Sequence, residues 1–326
     1  MPWVRIVIVN YNSGPLLEQT VDALARQTDP DFEAVIVDNA SCDGSERVPL
    51  PDRRFRLDRA AANLGFAAAS NLGCKGSGTP WLAMLNPDAA PEPDWLAELR
   101  RATLRYPDAA AFGSTQLDAA NPKFLDGGGD CYSIFGIAWR GGHGAPIGAI
   151  GGDIRVFSPC AAAALYRRDV FERAGGFAEP FFCYLEDVDL GFRLNLLGHE
   201  AIQAAGARVR HVGSACSGKA AGGFAGYHIV RNGIFTIVRC MPAPLLAISL
   251  PLAILSHLWL GLRAGDLPVR VRGLRDGFAA LPVLLRQRRA IQADRRLSVL
   301  ELSRLLVWNP RAAGGMAIVP LPRARG

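Results

Sequence analysis

At 326 residues, half of them hydrophobic and 20% charged, the chain can enclose a sizeable core, and its composition excludes a disordered or fibrous protein. The net charge of +6 is unevenly placed: from Arg263 to the end 13 arginines face four acids, Asp266, Asp276, Asp294 and Glu301, which leaves residues 1–262 slightly negative. A basic nucleic-acid-binding body is thereby excluded, and the cationic tail points to an anionic lipid surface.

The opening MPWVRIVIVNYN carries no basic lead, no long apolar segment and no small-residue cleavage site, so no secretory leader is expected and the main body belongs in the cytosol. Val4–Val9 reads as a buried strand. After Asn12-Ser13-Gly14-Pro15, the spacing of Leu16, Leu17, Val21 and Leu24 predicts a helix over Leu16–Gln27. Phe32–Val37 reads as a second strand and Arg54–Leu57 as a third, followed by a helix over Leu64–Cys74. Trp81–Leu85 reads as a fourth strand, followed by a helix through Trp95, Leu96, Leu99 and Leu104.

Alternation of apolar strands with helices predicts an α/β fold, a mostly parallel twisted sheet with helices on both faces. Ligands of such sheets bind at the carboxyl ends of the strands. Here those ends read Asn10-Tyr11-Asn12, Asp38-Asn39-Ala40-Ser41 and Asn86-Pro87-Asp88, so polar groups gather at one edge.

Gly127-Gly128-Gly129 through Gly151-Gly152 lacks periodicity and reads as a long loop with room for an edge hairpin. Beyond it, Cys160–Tyr166 reads as a strand, Asp169–Ala174 as a short helix stopped by Gly175-Gly176, Asp187–Leu197 as a helix ended by Gly198, and Arg208–His211 as a strand. Seven cysteines without a C-x-x-C pair fit reduced thiols better than disulfides or a zinc site. Cys42, Cys74, Cys131, Cys160, Cys183, Cys216 and Cys240 read as small packing residues.

The segment YLEDVDL, Tyr184–Leu190, crowds three carboxylates among apolar residues. A helix starting near Asp187 sets Glu186 and Asp187 at its amino end, where unpaired backbone N–H groups favour negative charge, and sets Asp189 opposite Arg193 at the i, i+4 spacing. Crowding and apolar surroundings raise a carboxyl pKa, as a general base often needs. A plain solvated helix start would carry the same acids.

Five motifs in order decide between these readings: VNYNS (Val9–Ser13), VDNASCDGS (Val37–Ser45), NLGFAAASNLG (Asn63–Gly73), LNPDA (Leu85–Ala89) and RRDVFERAGGFAEPFFCYLEDVDLGFRLNLLG (Arg167–Gly198). Together they resemble the family 2 inverting glycosyltransferases, within them the rhamnosyltransferase-like branch that builds bacterial cell-surface polysaccharides. The resemblance implies a GT-A fold, a nucleoside-diphosphate sugar donor, a divalent metal (Mg²⁺ or Mn²⁺) and an acceptor hydroxyl activated by an aspartate.

Position by position, the resemblance makes Asp38, with Asn10 and Asn12 beside it, the group that binds the nucleotide, and sets Asn63, Gly65 and Asn71 along the donor site. A turn cap at Asp38 and a helix cap at Asn63 are the rival accounts. Asp88 takes the place of the D-x-D metal motif, whose first acid is here Asn86; a single carboxylate suffices to anchor Mg²⁺. His211 falls where relatives place a second metal or diphosphate contact, Arg231 is a candidate for the diphosphate, and each has a plain structural alternative. Asp187 is the expected base, with Glu186 second, and Arg193 is expected to orient Asp189. Relatives continue the Gly175-Gly176-Phe177 turn with Asp-Glu; Ala178-Glu179 stands here, which removes any acid role at 178.

The likeness covers 1–239, read as the catalytic domain; 240–326 is read as a hydrophobic and arginine-rich helical membrane-associating region. Cys240–Leu262 holds no charged residue and is long enough to cross a bilayer. A single crossing would put the cationic tail on the far side from the catalytic body, against the positive-inside tendency. An in-plane or re-entrant helix on the cytoplasmic face is therefore expected, peripheral or monotopic, suited to a lipid-linked acceptor. A buried helix of a soluble subdomain would pass the same length test. A dehydrogenase is excluded because no G-x-G-x-x-G follows the first strand. Two readings stay open: a sugar nucleotidyltransferase, although Asn12-Ser13-Gly14-Pro15 lacks a basic residue, and a catalytically silent membrane-docking or carbohydrate-binding partner of a polysaccharide assembly complex.

Overall fold

The computed structural model describes residues 1–213, 222–314 and 316–321. Cys216 lies outside the described residues. The first βα units follow the apolar pattern: β1 (Val4–Asn10), α1 (Pro15–Ala25), β2 (Phe32–Asp38), β3 (Phe55–Arg59), α2 (Gly65–Cys74) and β4 (Trp81–Leu85). Every residue of β1 is buried, and successive residues serve opposite faces. Ile6 and Ile8 join Leu17 and Leu24 of α1 in one core, while Val7 and Val9 join Ala67 of α2 in the other. Helices therefore cover both faces, as the alternation predicts.

After β5 (Ala89–Pro91) and α3 (Trp95–Arg105) comes β6 (Ala109–Asp118), for which the sequence reading provided no strand. Its alanines, Gly113 and the run Ser114-Thr115-Gln116 have weak strand preference, yet nearly all of it is buried at the sheet centre. Within the glycine-rich stretch lie β7 (Leu125–Gly127), β8 (Asp130–Tyr132), β9 (Ala138–Arg140) and β10 (Ile154–Val156), with β8 and β9 forming a separate hairpin. The chain continues through β11 (Ala163–Arg167), α4 (Arg168–Arg173), α5 (Glu186–Leu196) and β12 (Glu200–His211), a far longer strand than its last four residues suggested.

The main sheet runs β10-β12-β6-β11-β4-β1-β2-β3, with β5 added to β12 and β7 to β6. β11 is antiparallel to both neighbours, β4 and β6, so β1, β2, β3, β4, β6 and β12 all point the same way. Their carboxyl ends carry Asn10, Asp38, Arg59, the Asn86–Asp88 turn, Asp118 and His211 to one edge, where β11 begins.

The C-terminal part is helical: α6 (Gly222–Cys240), α7 (Ala243–Ala264), α8 (Leu267–Ala279), α9 (Leu281–Ala293), α10 (Val299–Leu305) and α11 (Pro310–Gly314). Ile234 and Val238 of α6 pack with Leu274 and Leu284, and Leu302 and Leu305 of α10 join Phe192 and Leu196 of α5. Among the described residues, α7 is the one helix long and apolar enough to cross a membrane. Its buried residues, Leu245, Ser249, Ala253, His257 and Gly261, recur every fourth position from its first turns to its last, so one stripe rests on protein along the whole helix. Ile248, Leu255, Trp259 and Leu262 face outward.

Candidate active site

At the β1–β2 end, Asn10 and Asp38 are register partners, and the fully buried Asn10 amide donates to Asp38 Oδ1 (2.9 Å), Ser41 Oγ (3.1 Å) and Ser45 Oγ (3.0 Å). Ser13 Oγ donates to Asn10 Oδ1 at 2.6 Å. Asn12, at φ 50°, accepts from the Cys42 N–H at 2.9 Å and donates its own N–H to Ser41 Oγ at 3.0 Å. Asn10, Asn12 and Asp38 thus come together as expected, joined by Ser41 and Ser45. Cys42 is exposed, so it is not the packing residue the sequence suggested; Cys183 is half-buried, Cys74, Cys131, Cys160 and Cys240 are buried, and all six are free thiols.

The start of α2 is tied to this corner. Asn39 Nδ2 donates to Asn63 Oδ1 (2.8 Å), and Asn39 Oδ1 and Asn63 Oδ1 accept from the N–H groups of Leu64 (2.8 Å) and Gly65 (2.9 Å). Gly65 has φ +79°, and a Cβ there would lie 2.5 Å from the Phe182 ring and 2.6 Å from its carbonyl oxygen. Only glycine lets α2 approach the segment leading to α5 so closely. Asn71 faces elsewhere: its amide exchanges hydrogen bonds with the backbone of Phe177, donating at 2.8 Å and accepting at 3.0 Å. It fixes the Gly175–Phe177 turn.

Asp88 and His211 meet. β12 delivers His211 beside Ala89, and His211 Nε2 lies 3.3 Å from Asp88 Oδ1, with Asn86 Nδ2 at 3.4 Å. His211 Nδ1 is held at 2.7 Å by Asp126 Oδ2, which also forms an ion pair with Arg140. Burial lowers the affinity of His211 for a proton, but Asp126 and Asp88 outweigh it and its pKa is raised. Burial likewise opposes ionisation of Asp126, yet the hydrogen bond from His211 and the charge of Arg140 hold its pKa below the ordinary value. With Nδ1–H donating to Asp126, Nε2 turns either a lone pair or a second proton toward Asp88. Asp88 Oδ1 is buried, and its contact among the described residues is with His211 Nε2. A buried carboxylate oxygen beside an imidazole nitrogen oriented by a second carboxylate is a donor set that fits a divalent cation.

The three acids of YLEDVDL have different fates on α5. Asp189, fully buried, pairs with Arg193 at 2.7 Å and with Arg239 of α6 at 2.6 Å. Burial would raise its pKa; the two guanidinium groups prevail and lower it. Arg193 orients Asp189 as predicted, while Arg239 has no signal in the local sequence. Asp187, partly exposed, accepts from the N–H of Ala161 (2.9 Å) and of Val188 (2.8 Å), and its carbonyl accepts from Ser158 Oγ (2.8 Å). Burial raises its pKa against those N–H bonds. Glu186 is buried with Oε2 unpartnered among the described residues, and burial followed by the charge of Asp187 pushes its pKa well up.

Asp187 reaches the same sheet edge through Ala161: the next residue, Ala162, accepts from the Asn86 N–H at 2.8 Å. Asp130 and Cys160 complete a buried cluster with Asp187, their polar atoms within 4.8 Å of one another. Burial lifts the Cys160 thiol to about 12, and burial with the charge of Asp187 pushes the Asp130 pKa well up. The sequence reading missed Asp126, Asp130 and Arg140, whose available signal was the pair of acids bracketing Gly127–Gly129.

Arg231 is tied to the same segment. Its guanidinium donates to the carbonyls of Pro180 (3.0 Å) and Phe181 (2.9 Å), while Asn232 Nδ2 donates to those of Phe181, Cys183 and Tyr184. The segment so gripped holds Phe182, Tyr184 and Leu185 at φ 65°, 69° and 66°, a strained backbone that places α5. Through Nε and Nη2, Arg231 helps hold this loop.

The family model for glycosyl transferase family 2 matches residues 5–175. The chain belongs to that family. This family 2 glycosyltransferase lies in its rhamnosyltransferase-like branch: it is 29% identical over 242 residues to the N-acetylglucosaminyl-diphospho-decaprenol L-rhamnosyltransferase of Mycobacterium tuberculosis, a match covering 63% of this chain and 75% of the relative. It is 30% identical over 226 residues to the O-antigen biosynthesis protein RfbC of Myxococcus xanthus, covering 66% of this chain and 18% of that longer protein. Its fold is similar to that of a mannosyltransferase from Pyrobaculum calidifontis, solved in complex with GDP-Man and Mn²⁺, with TM-score 0.53, 18% identity, and 90% and 86% of the two chains covered. That likeness shows the GT-A fold.

Proposed function

We propose that this glycosyltransferase moves a sugar, rhamnose or another deoxy- or hexose sugar, from a nucleoside-diphosphate donor to a hydroxyl of a lipid-linked cell-surface glycan, with inversion at the anomeric carbon. The observation that carries the reading is the anchoring of Asp187 to Ala161, one residue from the partner of Asn86, on the edge that also bears Asn10, Asp38, Asp88 and His211. Asn10, Asn12 and Asp38 receive the nucleotide, with Asn63 and Gly65 shaping the approach of α2. Asp187, its pKa raised by burial, removes the proton of the acceptor hydroxyl, and the buried Glu186, its pKa pushed well up, lies beside it. Asp88 and His211 would hold Mn²⁺ or Mg²⁺, with the imidazole favouring Mn²⁺ of the two. When bound, the cation offsets the charge that develops on the departing diphosphate.

Residues 240–326 form the membrane-associating part. The buried stripe of α7 covers about 24 Å of helix axis at 1.5 Å per residue, so the helix lies along the protein and its outward residues dip into one leaflet. Exposed Arg272, Arg275, Arg286 and Arg289, interleaved with exposed Val271, Val283 and Leu285, supply charge for an anionic cytoplasmic surface.

Incubation of the purified protein with nucleoside-diphosphate sugars, Mn²⁺ or Mg²⁺, and a polyprenyl-diphosphate-linked sugar tests the reading. A lipid-linked product of opposite anomeric configuration is expected. A product of retained configuration would overturn the mechanism, and no transfer here, with nucleoside-diphosphate sugar and pyrophosphate formed from sugar-1-phosphate and nucleoside triphosphate in a parallel incubation, would favour the nucleotidyltransferase.

A further inference from the structure

Arg140 stands between the two halves of the site. It lies on β9, paired across the hairpin with Asp130 of β8, and its guanidinium forms an ion pair with the Asp126 oxygen that also holds His211 Nδ1. Gly127, next to Asp126, lies beneath the Arg140 stem, where a Cβ would overlap Arg140 Cγ and Cδ. The missing side chain is what lets the arginine cross to Asp126. On its other flank is the cluster of Asp130, Cys160 and Asp187.

We propose that Arg140 is a positioning residue shared by the cation half and the base half of the site: it fixes Asp126 against His211 and, paired across the hairpin with Asp130, sets its positive charge beside the Asp130–Cys160–Asp187 cluster. The inference rests on Asp187 as the base and on Asp88 with His211 as the cation site. The groups around Asp187 are Glu186 on α5, Asp130 on β8, Cys160 ahead of β11, Tyr166 on β11 and Arg140 on β9. Burial raises the pKa of the first four, whereas Arg140 is the cation among these groups, its charge acting on Cys160, Asp126, Asp130 and Asp187. Asp130, the hairpin partner of Arg140, has a carboxylate oxygen within 4.8 Å of one of Asp187, and an opposite charge nearby favours the ionised carboxylate.

The test compares Arg140→Gln, Arg140→Lys and Gly127→Ala with the parent, in the full chain. The readouts are the pH profile of kcat/KM for transfer, Mn²⁺ binding followed by the paramagnetic resonance of the free ion without donor, and thermal melting. Arg140→Gln should move the acid limb upward by about one pH unit and weaken Mn²⁺ binding about tenfold. Arg140→Lys should bring the limb most of the way back. Gly127→Ala, which deletes no polar group, should shift both readouts in the same sense by displacing the arginine, and it carries the comparison if Arg140→Gln does not fold. A lower melting temperature and kcat, with limb and Mn²⁺ affinity unmoved, would make Arg140 a mere strut and overturn the inference. Asp187→Asn run alongside separates the failures: turnover retained there overturns the base assignment, whereas turnover lost there with an unmoved limb in Arg140→Gln overturns the role of Arg140 alone.

Discussion

Asp126 Oδ2 sits 2.7 Å from His211 Nδ1, leaving Nε2 of the same ring 3.3 Å from Asp88 Oδ1. A carboxylate on one imidazole nitrogen selects the tautomer and makes the other nitrogen a better donor to a cation. Asp126→Asn should weaken Mn²⁺ binding by about 10–100-fold, read by calorimetric titration of the metal alone. An unchanged affinity would remove Asp126 from the support of the centre.

Asp189 is buried between Arg193 and Arg239. Asp189→Ala strands two guanidinium groups and should cost about 3–5 kcal/mol in chemical denaturation. Because the folded-state pKa of Asp189 is lowered, its contribution is complete above the unfolded value of about 3.9 and fades as pH falls through the folded value. The stability gap between parent and variant should therefore narrow on acidification below about pH 4. A gap that widens there would contradict the pairing.

How much of this was legible in the sequence follows from how local each cause is. Asn10, Asp38 and Asp88 terminate apolar strands or lie just beyond one, and strand runs are visible in the chain, so their common edge followed from the alternation. The Asp189–Arg193 pair followed from helix spacing. The strand Ala109–Asp118 was hidden because its alanines and polar residues take strand form only through neighbours distant in sequence. Arg239, fifty residues from Asp189, and Arg140, bound to Asp126 across a hairpin, owe their roles to tertiary contacts that no periodicity records. Asn71 and Arg231 show the converse: each lies in or near a recognisable motif, yet their side chains bind backbone groups of the turns that shape the site.

Gly65 and Gly76 both have positive φ, +79° and +68°, but only Gly65 has a neighbour within reach of an added Cβ. Gly76→Ala should cost about 1–2 kcal/mol from backbone conformation alone. Gly65→Ala must also displace Phe182 and the segment that positions α5, so it should be less stable and lose transfer rate beyond what its folded fraction explains. Equal effects in urea melts and turnover assays would contradict the contact.

The outward face of α7 bears Leu255 and Trp259, the latter with Arg263 4.8 Å above its ring. Leu255→Glu with Trp259→Glu should release the protein from anionic vesicles in a sedimentation assay while leaving Mn²⁺ binding intact. Undiminished sedimentation would remove α7 from the membrane surface.

The central claim, that Asp187 takes the acceptor proton, is tested most directly by single-turnover transfer with Asp187→Asn at saturating donor, acceptor and Mn²⁺. The account predicts a rate lowered by about 10²–10⁴-fold, with donor affinity and melting temperature preserved. Transfer at the parental rate would contradict it.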